Sequence, residues 1–240
     1  MNDDLKTSPR IFTAQDLAQD NFIELEADRA HYLAHVLRSR QGDKIRLFNG
    51  RGGEYAAVLH NVGKKNVTAH CKSQIRGQHS PLFLRHLYFA PIKKTRQDFL
   101  IEKAVELGVT HLHPVLTNRT QIRKINLRRL EKQIIEAAEQ CERLDIPRIF
   151  PMINFRDMIK SWKEQDPKSC FICLARCKGK SPSRINSNQD ISLCIGPEGG
   201  FDEQEISLAN DFASLNLGDN VLRAETAALS ALARLMPVSE

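Results

Sequence analysis

The stretch CIGPEGGF (194–201) follows the apolar run ISL and precedes an acidic helix start, DEQEI. Three glycines and a proline within residues 196–200 make a tight turn almost without side chains. Such a turn after an apolar strand is either a purely structural device or a loop that lets a ligand meet bare backbone. The spacing is not G-x-G-x-x-G, so a Rossmann dinucleotide site is not supported. KGKS (178–181) looks like the end of a Walker A loop, but the required first glycine falls at Leu174, which excludes that reading. A second glycine turn, NLGDNVLRAETA (216–227), also follows a short apolar run and opens a helix. The alanines of that helix suit close packing in the core, and would equally suit a subunit interface.

Two further stretches carry charge that could meet a polyanion. NRTQIRKINLRR (118–129) holds Arg119, Arg123, Lys124, Arg128 and Arg129 and no acid. Clustered cations either form a solvated surface or gain affinity by releasing counterions from phosphates. AAEQCERLDIP (137–147) ends a helix with Gln140 and Arg143, where a guanidinium fork beside an amide could hold a phosphate or a base edge, or simply face water. CFICLARC contains a C-x2-C, yet positions three apart on a strand point to opposite faces, and no second cysteine pair or histidine pair accompanies it. Buried free thiols are therefore expected, and no metal.

These residues need elements to hold them. The first 80 residues read as short strands, RIFT, NFIEL, KIRLFNG, GGEYAAVLHNV and NVTAHCKSQI, with one helix over 27–38. Gly/Asn turn chemistry between them suggests a small barrel-like module. After the linker-like RGQHSP (76–81) the pattern becomes strands alternating with helices, which predicts an α/β domain with a mostly parallel sheet. Asp202 and Glu205 have the spacing of a capping box, so the helix after the first glycine turn is well anchored.

Composition sets bounds on these readings. The 240-residue chain is 41% hydrophobic and 27% charged, enough for a real core in one or two domains. No window reaches the roughly 18 apolar residues of a membrane helix, and MNDDLKTSPR lacks the apolar segment of a secretory signal. A cytoplasmic protein with reduced thiols and no membrane partner is the expectation. The net charge of +6 is concentrated early: residues 1–150 carry 25 Lys/Arg against 17 Asp/Glu, and the remainder 10 against 12.

Taken together, KKTRQDFLIEKAVELGVTHLHPV, AAEQCERLDIP, CIGPEGGFDEQEI and LGDNVLRAETAALSAL resemble, in order and spacing, the RsmE family. These are bacterial small-subunit ribosomal RNA uridine N3-methyltransferases of the SPOUT superfamily. The resemblance implies a trefoil-knotted α/β domain over 79–240 and a PUA-like RNA-binding barrel over 1–78. It also implies a homodimer formed through the knotted domain, S-adenosylmethionine as methyl donor, and 16S rRNA, within the small ribosomal subunit, as substrate. The donor would lie against Leu174, Gly196, Pro197, Glu198, Gly199 and Gly200 and against Leu217, Gly218, Val221, Leu222 and Arg223. Uridine N3 keeps its proton at neutral pH, so the reaction needs a base or a cation for the anion. Arg223 is assigned the cation's role, with Glu198 and Glu225 as base candidates; a dimer salt bridge and a helix cap are the competing roles for Arg223 and Glu225. Arg119, Arg123, Lys124, Arg128, Arg129, Gln140 and Arg143 would contact RNA. Asn220 and Cys141 depart from the family's usual residues, and both are expected to tune contacts. Another SPOUT methyltransferase acting on a different base or a ribose hydroxyl, and a non-catalytic assembly factor, are the alternatives.

Overall fold

The computed structural model describes residues 3–63, 66–164, 169–173 and 185–235; Leu174, Cys177 and the KGKS stretch lie outside them. The chain divides into two compact units, residues 1–80 with 138–146, and residues 81–137 with 147–240.

In the first unit a short helix α1 (Asp3–Lys6) precedes β1 (Arg10–Phe12) and β2 (Phe22–Leu25). Helix α2 (Ala27–His31) continues as a π-helical turn, Tyr32–Val36, and is followed by β3 (Lys44–Phe48), β4 (Glu54–Val62) and β5 (Val67–Arg76). The five strands form one sheet in the order β1-β3-β4-β5-β2, antiparallel except for the β1–β3 pair. Alternation sets the buried face: Ile23 and Leu25 of β2 are buried while Phe22 and Glu24 are exposed. Leu33, Ile45, Leu47, Leu59 and Val67 complete that core.

Beside it lies a buried charge cluster. Glu54 is fully buried and meets Arg10 at 2.5 Å, Arg76 at 3.2 Å and Arg46 at 3.8 Å. A buried carboxylate is tolerable only when so compensated. Arg10 also donates to the carbonyl of Ala138 at 2.7 Å, and Arg46 pairs with Glu142 at 2.9 Å. These bonds explain why residues 138–146 belong to this unit. They also fix the surroundings of Arg143, whose carbonyl accepts from Arg10 and whose guanidinium forks onto Asp145 at 3.1 and 2.5 Å.

The second unit alternates as expected: β6 (Arg85–Phe89), α3 (Lys94–Glu106), β7 (His111–Leu116), α4 (Leu127–Gln140), β8 (Arg148–Ile149), β9 (Ile153–Asn154), α5 (Phe155–Lys163), β10 (Cys170–Cys173), β11 (Ile191–Ile195), α6 (Glu203–Leu208), β12 (Ala213–Leu215) and α7 (Ala224–Leu235). The last residues of α4 fall to the first unit. The sheet runs β12-β10-β11-β6-β7-β8, with β9 also on β7, and its pairings are all parallel. Strand β11 is buried along its whole length, as a central parallel strand covered on both faces must be. The expected α/β class with a parallel sheet is therefore observed. Strands β8 and β9 had no sequence signal because two residues carry no periodicity.

One face of this sheet carries a stack of rings. His86 and Tyr88 of β6 stand beside His111 and His113 of β7, and His113 stacks on Tyr88 at 4.3 Å and on Phe150 at 4.4 Å. Nδ1 of His86 and Nε2 of His113 share a hydrogen bond of 3.1 Å. Burial first, then the neighbouring histidine charge, pushes His113 down to about 3 and His86 down to about 4.

Candidate functional site

Strand β11 ends at Ile195 in the middle of the parallel sheet, so the glycine turn that follows sits where open α/β sheets place their ligands. Gly200 donates to the carbonyl of Pro197 at 2.8 Å, closing the turn, and its φ of +67° is a conformation natural to glycine. The turn is pinned from below by the capping box. Asp202 accepts from the Glu205 amide at 2.8 Å, and Glu205 accepts from the Asp202 amide at 3.0 Å. The Glu205 amide, and then the Asn118 side chain, hold the Asp202 carboxyl below the usual range.

The loop after β7 is stitched to the same turn. Asn118 donates its amide N–H to Glu205 at 2.8 Å and its side chain to Asp202 at 2.6 Å. Arg119 donates to the carbonyl of Gly199 at 2.9 Å. The second glycine turn follows the edge strand β12 and runs into α7. There Gly218, at φ +124°, donates to the Asn216 side chain at 2.8 Å, and the Arg223 carbonyl accepts the first bond of the helix, from Ala227, at 2.8 Å.

Between the two turns is a cavity of about 360 Å³. Gly196, Pro197, Glu198, Gly199, Gly200, Leu217, Gly218, Val221 and Leu222 all line it, together with Asn220. Arg119, expected to bind RNA, lines it too, as do Cys173, Phe201, Ile206, Ala224 and Ala227, which no sequence signal marked for this role. Arg223 is exposed at the end of the turn and is not part of the lining; Leu174 lies outside the described residues.

The glycines are bare for different reasons. A Cβ at Gly196 would come within 2.8 Å of the Phe201 ring, so the protein's own packing excludes a side chain there. At Gly200 nothing stands within 4 Å, and the backbone conformation is the reason. Gly199 has neither reason: its φ is not positive, and a Cβ would only touch Arg119 at 3.4 Å, an ordinary contact. Its bareness is left for a ligand to explain.

A charged group that sequence reasoning missed stands beside the cavity. Arg96, in the first turn of α3, lies 3.4 Å from Glu198 and 3.7 Å from Glu225. Glu225, in the first turn of α7, is buried, and its Oε2 has no hydrogen-bond partner among the described residues. An orphaned buried carboxylate oxygen is costly, and such groups cluster at working sites. Its only sequence signals were the neighbouring cations Lys93 and Lys94 and its place in the KKTRQDFL motif.

The remaining expected RNA contacts differ in how free they are. Arg123, Lys124, Arg128 and Gln140 are exposed. Arg129 pairs with Asp98 at 2.6 Å, and Arg143 is held by Asp145, so neither presents an uncommitted guanidinium. Cys141 is half-buried in the segment that joins the first unit.

Comparison with known proteins places this geometry. A family model described as an RNA methyltransferase domain matches residues 78–236, and one described as an RNA methyltransferase PUA domain matches residues 25–70. Ribosomal RNA small subunit methyltransferase E of Rickettsia conorii is 37% identical, the match covering 94% of each chain. The Synechocystis protein of the same name is 30% identical over 96% of this chain and 78% of its own. Among solved structures, a ribosomal RNA small subunit methyltransferase E from Neisseria gonorrhoeae, bound to S-adenosyl methionine, superposes with a TM-score of 0.85 at 30% identity, covering 94% of this chain and 95% of that one.

Proposed function

The chain belongs to the RNA methyltransferase family of ribosomal RNA small subunit methyltransferase E, with an N-terminal PUA domain, and from that membership we propose that it methylates N3 of a uridine in 16S ribosomal RNA with S-adenosylmethionine as donor. The observation that carries this reading is the cavity of about 360 Å³ between the two glycine turns, with Gly199 bare for no reason internal to the fold. A volume in the lower part of the range for small-molecule sites suits a nucleoside-sized ligand. The backbone of both turns offers N–H and C=O groups to it, and the apolar Ile206, Leu217 and Leu222 suit its ring and chain.

When bound, the donor supplies a methyl group on a positively charged sulfur. What the chain must do is hold that group in line with a ring nitrogen and deal with the proton there. Glu225 is the better base candidate of the two. It is buried, its Oε2 is unclaimed, and Arg96 holds its other oxygen. Glu198 is exposed and shares the same arginine. The exposure of Arg223 at the end of the second turn supports a role in meeting a base arriving from outside and stabilising the uracil anion. Arg119 holds the first turn in shape through the Gly199 carbonyl.

The rest of the assembly belongs to the same proposal. Residues 1–78 act as an RNA-binding module, and residues 79–240, apart from 138–146, which pack with the first unit, form the methyltransferase domain with its trefoil knot; the strand order with β11 between β10 and β6 supports the latter. A homodimer through the second domain is supported by Phe99, a large apolar side chain left exposed on α3. The substrate is small-subunit RNA in the cytoplasm, and no helix among the described residues is long and apolar enough to cross a membrane. Calorimetric titration with S-adenosylmethionine tests the donor site: wild-type protein binds, and Gly199→Ala binds at least about tenfold more weakly, a loss of ~1.4 kcal/mol, while unfolding at the same temperature. Equal affinities, or no binding by folded wild-type protein, would remove the donor from this cavity.

A further inference from the structure

A second cavity, of about 310 Å³, is also lined by the loop that follows β7. Its walls are the loop residues Thr117, Asn118 and Arg123, Asn154 at the end of β9 with Phe155 to Asp157 at the start of α5, and Gln204, Glu205 and Leu208 of α6. Arg123 and Arg156 are both exposed and have no ion-pair partner among the described residues, although they come from segments far apart in sequence. The acids in the wall are unequal. Both oxygens of Glu205 are taken by the amides of Asn118 and Asp202, at 2.8 and 3.0 Å. Asp157 is exposed, and its only described partner is the Asn154 side-chain amide at 3.4 Å.

We propose that this cavity is a nucleotide subsite, taking a phosphorylated nucleotide of the RNA substrate next to the donor cavity; the proposal rests on the RNA-methylating reading of the protein. The chemistry is that of a nucleotide rather than of a simple anion. Leu116, Phe155 and Leu208 give an apolar floor on which a base can lie. Gln204 offers an amide that is both donor and acceptor to a base edge, and Asn118 and Asn154, each already giving one N–H to Asp202 and Asp157, keep their carbonyl oxygens and second N–H groups for it. Arg123 and Arg156 supply planar forks for the phosphate. S-adenosylmethionine carries no phosphate, so two free arginines here serve a different ligand. The position is also informative: Asn118 and Arg119 are adjacent residues, one lining this cavity and the other the donor cavity. One loop therefore sees both ligands.

The full chain is titrated with uridine 5′-monophosphate, with uridine and with inorganic phosphate, and each titration is repeated on Arg123→Ala, Arg156→Ala and Asp157→Asn. The monophosphate binds more tightly than either of its parts. Each arginine variant weakens it about fivefold or more, the loss of one charge-assisted contact at a solvated site, and leaves S-adenosylmethionine affinity unchanged. Asp157→Asn tightens it. Binding of a single-stranded RNA loses about one unit of salt slope in each arginine variant. Monophosphate affinity indifferent to both arginines overturns the proposal, as does inorganic phosphate binding as well as the nucleotide. A loss of donor affinity equal to the loss of nucleotide affinity would mean one continuous donor site and would also overturn it. Protein that binds the monophosphate through these arginines but methylates no RNA would instead refute the methyltransferase reading and leave this site standing.

Discussion

Gly196→Ala should destabilise the second unit through one ring. The new Cβ would stand 2.8 Å from Cε2 of Phe201, 3.0 Å from Cζ and 3.2 Å from Cδ2. Real carbon atoms do not approach so closely, so either the ring or the turn must move. The ring has little freedom: Phe201 is buried in the core cluster and packs on Phe155 at 5.2 Å between centroids. Forcing an extra carbon into such a site costs about 1–3 kcal/mol. In a domain of this size each kcal/mol lowers Tm by roughly 2–4 °C, which thermal and urea unfolding both resolve. Phe201→Leu removes the two nearest ring atoms, so the double variant Gly196→Ala/Phe201→Leu should be more stable than the sum of its two single effects. A Gly196→Ala protein as stable as wild type, or a double variant showing plain additivity, would refute the claim that Phe201 keeps Gly196 bare. Gly199→Ala is the internal control, because its Cβ meets only Arg119 at 3.4 Å and stability should not change.

Three other outcomes follow from the same structure. Arg96→Ala should slow single-turnover methylation more than it weakens donor binding, and in a Glu225→Gln background it should cost little more; independent, multiplying effects would show that Arg96 does not act through Glu225. The ring stack makes stability pH-dependent with a definite sign: His86 and His113 are pushed below the ordinary value of 6.5, to about 4 and about 3, so the unfolded chain binds more protons. The stability they contribute is complete above about pH 6.5 and is lost as pH falls toward those values; urea midpoints from pH 7.5 to 4.5 should show the decline, and His113→Phe should flatten it. Lys124→Ala with Arg128→Ala should reduce the salt slope of RNA binding by about 1–2 units and leave donor affinity alone; an unchanged slope would take this stretch out of the RNA contact.

What could be read in the sequence was what depends on near neighbours. The capping box at Asp202 and Glu205 needs only a spacing of three, and both of its bonds are present. The alternation of β2 and the mainly apolar β11, broken only by Ser192, report faces directly. The two glycine turns were recognisable as turns, but not the reason for each glycine, because Phe201 reaches Gly196 only once the turn has folded back. Contacts between distant segments were out of reach. Arg96 meets Glu225 across the packing of α3 against α7, and Arg119 was visible as a cation while its bond to Gly199 depends on which loop lies beside which strand end. Arg143 looked available in sequence; a carboxylate two residues on and a buried arginine from β1 hold its side chain and carbonyl.

The central claim is tested most directly by the product. Small ribosomal subunits lacking base methylation are incubated with the purified chain and isotopically labelled S-adenosylmethionine, and the RNA is digested to nucleosides for mass analysis. The label is predicted in N3-methyluridine, and lost when Glu225→Gln or Arg223→Ala replaces the wild-type protein. Label in a ribose methyl or in another base, or none with folded donor-binding protein, would contradict the account.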